Sequence, residues 1–401
     1  MKPQIIILGG NFAGLHAAFE LHHTLGNKAD VTIIAPEDFF VFLPSLIWVV
    51  TGSCSPKRIQ FDLRTAIEPR GIHLVHDHVV RVDVANQVVY TDMNKFSYDY
   101  LVVATGADPD WSVAPGIGPH TGHTHYVCSV PWATNAARAW QKYLKNPGPL
   151  VVGATQRSGC FGLGYEMVLN LEHSLRKQGK RSQASITFLT AEPFLGHLGM
   201  GGVGEAPKKI EEVFKKRNIN WVANATTKAV TETEVLLEDG SVYPYAYALY
   251  LVPFKGRKFI FDSPGLGNER GFIPVNDRYQ HVNLPNVYAA GVAVDVTQPE
   301  QTLVPIGVPK TGYMSDVMGK VAAQNIEAEI MGKPPRDLPF ADIKLLCVMD
   351  GGDMAISLVA DRIFNPRKFV FSNASWIGHL GKILFEKYYM WKVRNGLVYL
   401  P

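Results

Sequence analysis

Ile5-Ile6-Ile7-Leu8 is an unbroken apolar run that ends at Gly9-Gly10-Asn11-Phe12-Ala13-Gly14, after which Leu15, Ala18, Phe19 and Leu25 recur at helical spacing up to Gly26. That pattern predicts a buried strand, a tight turn and a helix with Gly26 as its C-cap. The order returns at Leu150-Val151-Val152-Gly153, where a second glycine-rich turn precedes a helix predicted over Leu163 to Leu175. A further strand follows at Ile186-Thr187-Phe188-Leu189-Thr190, with Glu192 just past its end. A repeated strand-turn-helix start predicts two Rossmann-like halves.

The rest of the chain fits around them. Val31-Thr32-Ile33-Ile34-Ala35 reads as the next strand of the first half, and two runs from Ile72 to Asp92 read as a hairpin about Ala85-Asn86. Tyr98-Asp99-Tyr100-Leu101-Val102-Val103 is another buried strand, ending at Ala104-Thr105-Gly106-Ala107. A Gly-, Pro- and His-rich connection turns helical around Trp132 to Tyr143, and Pro147-Gly148-Pro149 opens the second half. Residues 226–253 read as strands with a turn at Asp239-Gly240, and Asn286 to Gly291 leads back to the first half. Past Pro334-Pro335, Ile343, Leu345, Cys347 and Met349 share one face of a strand, Gly351-Gly352-Asp353 turns it, and Met354 to Val359 returns. Trp376 to Tyr399 reads as an amphipathic helix with Ile377, Leu380, Leu384, Tyr388 and Trp391 on one side and Lys382, Lys387, Lys392 and Arg394 as its cations. The predicted class is α/β, with residues 1–147 as the first part of one dinucleotide-binding domain, 148–270 as a second Rossmann-like domain, 271–334 as the return to the first, and 335–401 as a C-terminal β-hairpin and membrane-binding helix.

Composition narrows the function. A chain of 401 residues, 47% hydrophobic, can bury a core in each of several domains, and a net charge of +3 gives no basic field for nucleic acid. The four cysteines, Cys54, Cys128, Cys160 and Cys347, lie far apart without a CxxC pair, which argues against a zinc site and a disulfide-stapled secreted fold. The first strand starts too early for a signal peptide, and no apolar run approaches the ~20 residues of a membrane span. If the protein meets a membrane, it lies on it as a peripheral, monotopic protein.

The glycine turns carry the candidate chemistry. Backbone N–H groups at Gly9 to Gly14 and the positive end of the following helix make a cradle for pyrophosphate, with Asn11 at the second glycine position. Ala35 replaces the acid that usually holds a ribose, so Glu37, Asp38 or backbone groups take that contact. Phe39 to Pro44 is expected to wall the cofactor ring; Thr105-Gly106 and Gly291-Val292 are strand-end turns, and Lys310-Thr311-Gly312 opens a helix suited to the pyrimidine edge of a flavin. The second turn departs from its model: Gly153-Ala154-Thr155-Gln156-Arg157-Ser158-Gly159-Cys160 is too long, with Thr155 and Ser158 where glycines belong. It carries Cys160 near a helix N-terminus, where the dipole is expected to favour the thiolate. Glu166 on the same helix and His197 in the loop Pro193 to Gly202 are candidate proton carriers.

Tyr126-Val127-Cys128-Ser129-Val130, Ser158-Gly159-Cys160-Phe161-Gly162 with Tyr165-Glu166, and Leu346-Cys347-Val348-Met349-Asp350 together resemble the sulfide:quinone oxidoreductases, as do Glu192 to Gly199, Pro309 to Met314, His379-Leu380 and Phe385-Glu386-Lys387-Tyr388. The resemblance spans essentially the whole chain. It implies FAD, with Pro36, Val79 and Lys382 among its contacts, and a quinone near Val348, Phe385 and Tyr388. It implies that hydrosulfide attacks a sulfur bridge between Cys160 and Cys347, with Cys128 assisting attack or release, and that polysulfide or elemental sulfur leaves. Trp132 stands where some relatives carry a His. A type II NADH:quinone oxidoreductase, a soluble flavoprotein sulfide dehydrogenase, a persulfide sensor and a homo-oligomer all stay open at this point.

Overall fold

In the computed structural model, which describes residues 2–400, the first apolar run is the strand Gln4–Leu8 at the centre of a five-stranded parallel sheet. The order across it is Val287–Ala289, Tyr100–Val103, Gln4–Leu8, Asp30–Ala35 and His73–His76. Both faces of the sheet's centre are covered, which is why its inner strands are nearly continuous apolar runs, while the edge strand His73–His76 is only partly buried. The helix Phe12–Leu25 packs on Gly312–Met331 so closely that a Cβ on Gly319 would lie 2.2 Å from the Ala13 carbonyl oxygen. That approach brings the N-terminus of the late helix beside the first glycine turn.

The second repeat builds a four-stranded parallel sheet in the order Ile219–Val222, Ile186–Thr190, Leu150–Ala154, Tyr247–Leu251, with the helix Phe161–Lys177 packed on it. The hairpin about Ala85-Asn86 is present as Val79–Asp83 and Val88–Thr91, extended by Lys95–Ser97. Around Asp239-Gly240 the strands Thr227–Val230, Glu234–Leu237 and Val242–Pro244 form a second small sheet. A short antiparallel strap, Asp108–Pro109 with Phe254–Lys255, ties the two halves together.

The C-terminal strands Leu345–Asp350 and Ala355–Ala360 pair as expected, and a third strand, Val370–Ser375, was not legible in the sequence. It is an edge strand with little burial on either face, so it carries no period-two signal. The tail helix runs Trp376–Arg394, its first turn capped by Ser375 Oγ accepting from the Gly378 N–H at 3.3 Å. It ends earlier than Tyr399 because Gly396, at φ +65°, turns the chain. Its outer face is apolar: Trp376, Ile377 and Leu384 are each more than 60% exposed. Two of the cations expected on the surface are instead buried. Lys382 pairs with Glu166, and Lys392 turns back to donate to the Leu400 carbonyl at 2.8 Å. Among the described residues no helix is long and apolar enough to cross a membrane, and no cluster could hold a metal ion.

Candidate active site

A cavity of about 590 Å³ opens where the turns of the first half converge. Gly9, Gly10, Asn11, Phe12 and Ala13 form its floor; Ala35, Pro36, Glu37, Val79, Thr105 and Gly106 form one wall, and Gly291, Val292, Lys310 and Gly312 the other. The floor requires its glycines: at φ +101° a Cβ on Gly9 would sit 2.5 Å from the Ala104 carbonyl oxygen. Asn11 Oδ1 is buried and unpartnered, an acceptor free for a ligand donor. Lys310 donates to the Val292 carbonyl at 3.3 Å and the Val294 carbonyl at 2.5 Å, and burial lowers its pKa to about 8. Helix N-termini, an open acceptor and a cation within reach suit a flavin dinucleotide.

Four of the expected cofactor contacts lie behind the lining. Gly14 packs on the Gly9 carbonyl, Thr311 caps its own helix by accepting from the Met314 N–H at 3.4 Å, Pro44 sits one residue past the lining Leu43, and Lys382 is held by Glu166. Of the two acids proposed for the ribose, Glu37 lines the cavity; the Asp38 backbone carbonyl holds the Leu63 N–H. Arg257 also lines the cavity and pairs with Asp108 at 2.5 Å, a contact across 149 residues that no local pattern announces.

Beside this cavity the second turn is closed by protein. Arg157 donates its backbone N–H to the Pro305 carbonyl at 2.6 Å, and the Gly307 N–H donates to the Ser158 carbonyl at 2.7 Å. A Cβ on Gly159 would lie 2.4 Å from the Val308 carbonyl oxygen, and one on Gly153 would enter the Tyr250 ring. The space that pyrophosphate would occupy at such a turn is therefore filled by residues 305–308. Cys160 sits at the end of this turn as the N-cap of Phe161–Lys177, without a side-chain bond to the helix amides. Cys347 Sγ lies 3.9 Å from where a Cβ on Gly162 would be, in the first turn of that helix. Cys128 lines the flavin cavity and shares its electrostatic surroundings with Cys160 and Lys310. Three cysteines from distant segments thus gather at one helix start.

The thiols are not activated as the sequence led one to expect. Burial pushes Cys160 well up, with Cys128 adding to the rise and Lys310 only opposing it. Cys128 rises to about 11 and Cys347 to about 12, both chiefly by burial. A helix end that makes no bond to the sulfur does not overcome desolvation. Cys347 has local partners that pull in opposite directions: Glu166 raises it and Lys382 lowers it. Glu166, itself raised by burial, pairs with Lys382 and accepts the Asp350 N–H at 2.8 Å. His197 is fully buried, and its Nε2 meets Glu300 at 2.9 Å instead of a sulfur. Phe385 reaches the aromatic cluster of Phe42 and Tyr389, which touches Phe12 in the cavity floor. Tyr388 lies beside Trp391, and Val348 pairs with Ser357 next to Cys347.

Two dinucleotide-type halves, one with an open cradle and one closed over by residues 305–308 and carrying cysteines, define an oxidoreductase of the two-dinucleotide-domain class. Residues 3–310 match the family described as Pyridine nucleotide-disulphide oxidoreductase. The sulfide-quinone reductase of Aquifex aeolicus is 31% identical over 99% of this chain and 92% of its own length. The X-ray structure of the sulfide:quinone oxidoreductase from Aquifex aeolicus superposes with a TM-score of 0.93 at 30% identity, covering 98% of this chain and 92% of that one. The type II NADH:quinone oxidoreductase of Staphylococcus saprophyticus is 21% identical over 92% of this chain and 93% of its own. The chain belongs to the pyridine nucleotide-disulphide oxidoreductases and, within them, to the sulfide:quinone oxidoreductases, which are FAD flavoproteins.

Proposed function

We propose that the chain oxidises sulfide at Cys160 and Cys347, with Cys128 assisting, and that the electrons leave through FAD to a quinone at a membrane surface. The observation that carries this reading is the second turn, filled by residues 305–308 where a nicotinamide dinucleotide would lie and lined instead by Cys160 with Cys347 beside it. Bound FAD supplies a two-electron acceptor that quinone reoxidises. Gly9 to Ala13, Thr105, Gly106, Gly291, Val292, Lys310 and Gly312 would hold it.

The residues of this chain do the rest. Hydrosulfide attacks the Cys160 sulfur of a Cys160–Cys347 disulfide; the S–S bond breaks, Cys160 keeps the new sulfur as a persulfide, and Cys347 leaves as thiolate. The leaving group departs faster the better its anion is stabilised; burial and Glu166 both raise the Cys347 thiol, and Lys382 is the charge that opposes them. Glu166, with a carboxyl raised by burial, can hold the proton that the incoming sulfur gives up. His197, from the loop 193–202, and Glu300, from a separate segment, form a second acid–base pair. The tail helix lays Trp376, Ile377, Leu380 and Leu384 toward a lipid surface, with Phe385 leading inward as the quinone contact.

The test is anaerobic mixing of purified holoprotein with sulfide or with NADH, followed by a quinone analogue, read at the visible flavin band. Sulfide should bleach the band and quinone restore it, while NADH does neither. Bleaching by NADH alone would overturn the reading. Cys160→Ser and Cys347→Ser should each slow bleaching by sulfide at least about a hundredfold, because either change removes the sulfur bridge that hydrosulfide attacks.

A further inference from the structure

Asp350 and His379 belong to the segments that carry the family resemblance, yet neither has a part in the reaction so far. The fold brings them together: His379 Nδ1 and Asp350 Oδ1 are 2.5 Å apart. Asp350 is fully buried at the end of the strand that carries Cys347. A buried carboxylate is tolerated only when its lone pairs are used, and those of Asp350 accept from Trp48 Nε1 at 2.9 Å and the Gly352 N–H at 3.1 Å as well as from His379. Its backbone works in the same direction. The Asp350 N–H donates to Glu166 Oε1 at 2.8 Å, and its carbonyl accepts from Asn170 Nδ2, which also reaches the Glu166 carbonyl.

The same residues frame Lys382. Its Nζ sits 5.6 Å from the centroid of the Trp48 ring that Asp350 anchors, and it follows His379 by one turn on the tail helix. The charged groups that act on Cys347 are Glu166 from Phe161–Lys177 and Lys382 from the tail helix; Asp350, three residues on from Cys347 in its strand, pairs with His379, and Arg58 and Glu386 lie beyond Trp48. Glu166 and His379 are each bonded to Asp350, and Lys382 meets the Trp48 ring that Asp350 holds.

We propose that Asp350 and His379 are positioning residues for the sulfur site, which together hold Glu166 and Lys382 in place against Cys347. The proposal rests on Cys347 acting as the thiolate that leaves the sulfur bridge. Its physical content is directional. Lys382 lowers the Cys347 thiol and Glu166 raises it, so a tail helix freed from Asp350 takes the favourable charge away and leaves the unfavourable one.

The test uses holoprotein in which Cys54, Cys128 and Cys160 are Ser, so that Cys347 is the single thiol, and reads its alkylation by iodoacetamide at fixed pH below its midpoint. H379A and D350N should slow alkylation roughly threefold or more, the effect of about half a unit in thiol pKa. H379N, whose amide nitrogen can take the place of ring Nδ1, should recover most of the rate. In the four-cysteine protein, flavin bleaching by sulfide should slow and recover in the same order. A fall in melting temperature of H379A with an unchanged alkylation rate would overturn the proposal and leave the pair a staple for the tail helix. If H379A loses its flavin, the near-isosteric D350N and H379N decide the matter. Bleaching that persists in Cys347→Ser would sink the leaving-thiolate reading, while the alkylation rates would still judge Asp350 and His379.

Discussion

Glu166 and Lys382 lie 216 residues apart in the chain and form a buried ion pair beside Cys347. Removing one partner of such a pair leaves an uncompensated charge and costs about 3–5 kcal/mol, whereas replacing both by neutral groups of similar size is often close to neutral. Lys382→Met should therefore lower the melting temperature of the holoprotein, and Glu166→Gln with Lys382→Met should recover most of the loss; thermal unfolding followed by flavin release measures both. A double variant no more stable than the single one would mean the pair is not felt as a pair. Glu166 could be singled out from the sequence because it shares a helix with Cys160. The pairing of Lys382 could not, since a lysine on an amphipathic helix reads as a solvated cation and only the packing turns it inward. The closed second loop was legible in its length and in Thr155 and Ser158; what closes it, residues 305–308, was not.

The tail helix joins two environments. Its inner face is bound to the body by Lys382 to Glu166, His379 to Asp350, Glu386 to Arg58 at 2.7 Å, and Tyr389 to Asp316 at 2.7 Å. Its outer face presents Trp376, Ile377, Leu384 and Trp391, each more than half exposed. Deleting the segment would strand Glu166 and Arg58 and uncover the core under Tyr389, so loss of lipid binding in a truncated protein would say little about lipid. Charges placed on the outer face make the cleaner probe. Ile377→Asp with Leu384→Asp should abolish sedimentation with liposomes and slow turnover with a membrane quinone at least about tenfold, as two exposed apolar side chains contribute about 1.5–3 kcal/mol each when buried. Flavin bleaching by sulfide should stay at its original rate. The amphipathic pattern was legible because 3.6-residue spacing survives in the outer face alone. The strand Val370–Ser375 beneath it was not, because an exposed edge needs no pattern.

Across the whole molecule, the ionisable groups that the fold buries set how stability changes with pH. Cys128 and Cys347 rise from 9.0 to about 11 and about 12, and Cys160 rises further, so the folded protein keeps protons that the unfolded chain releases above pH 9. Where the native state binds more protons, stability falls as pH rises, and the contribution of these thiols is lost through that window. Glu192, pushed up from 4.5 to about 7, has the same sign at lower pH: its contribution is complete below 4.5 and is lost as pH rises through 7. Lys310 runs the other way, because a pKa lowered from 10.5 to about 8 makes the fold gain stability as pH rises between those values. Buried tyrosines such as Tyr250 and Tyr279, raised above 10.0, add a loss only beyond that pH. Cys54 is raised by burial as well and Lys392 lowered by it, so between pH 8.5 and 10 four thiols oppose two lysines. Urea unfolding of fully reduced holoprotein should show a midpoint that falls across this range, and Cys160→Ser with Cys347→Ser, which retains Lys310 and Cys128 but loses two of the thiols, should show a shallower fall or a rise. Equal slopes in the two proteins would mean that the sulfurs titrate in the fold as they do in the unfolded chain, and that the sulfur site is wetter than its packing implies.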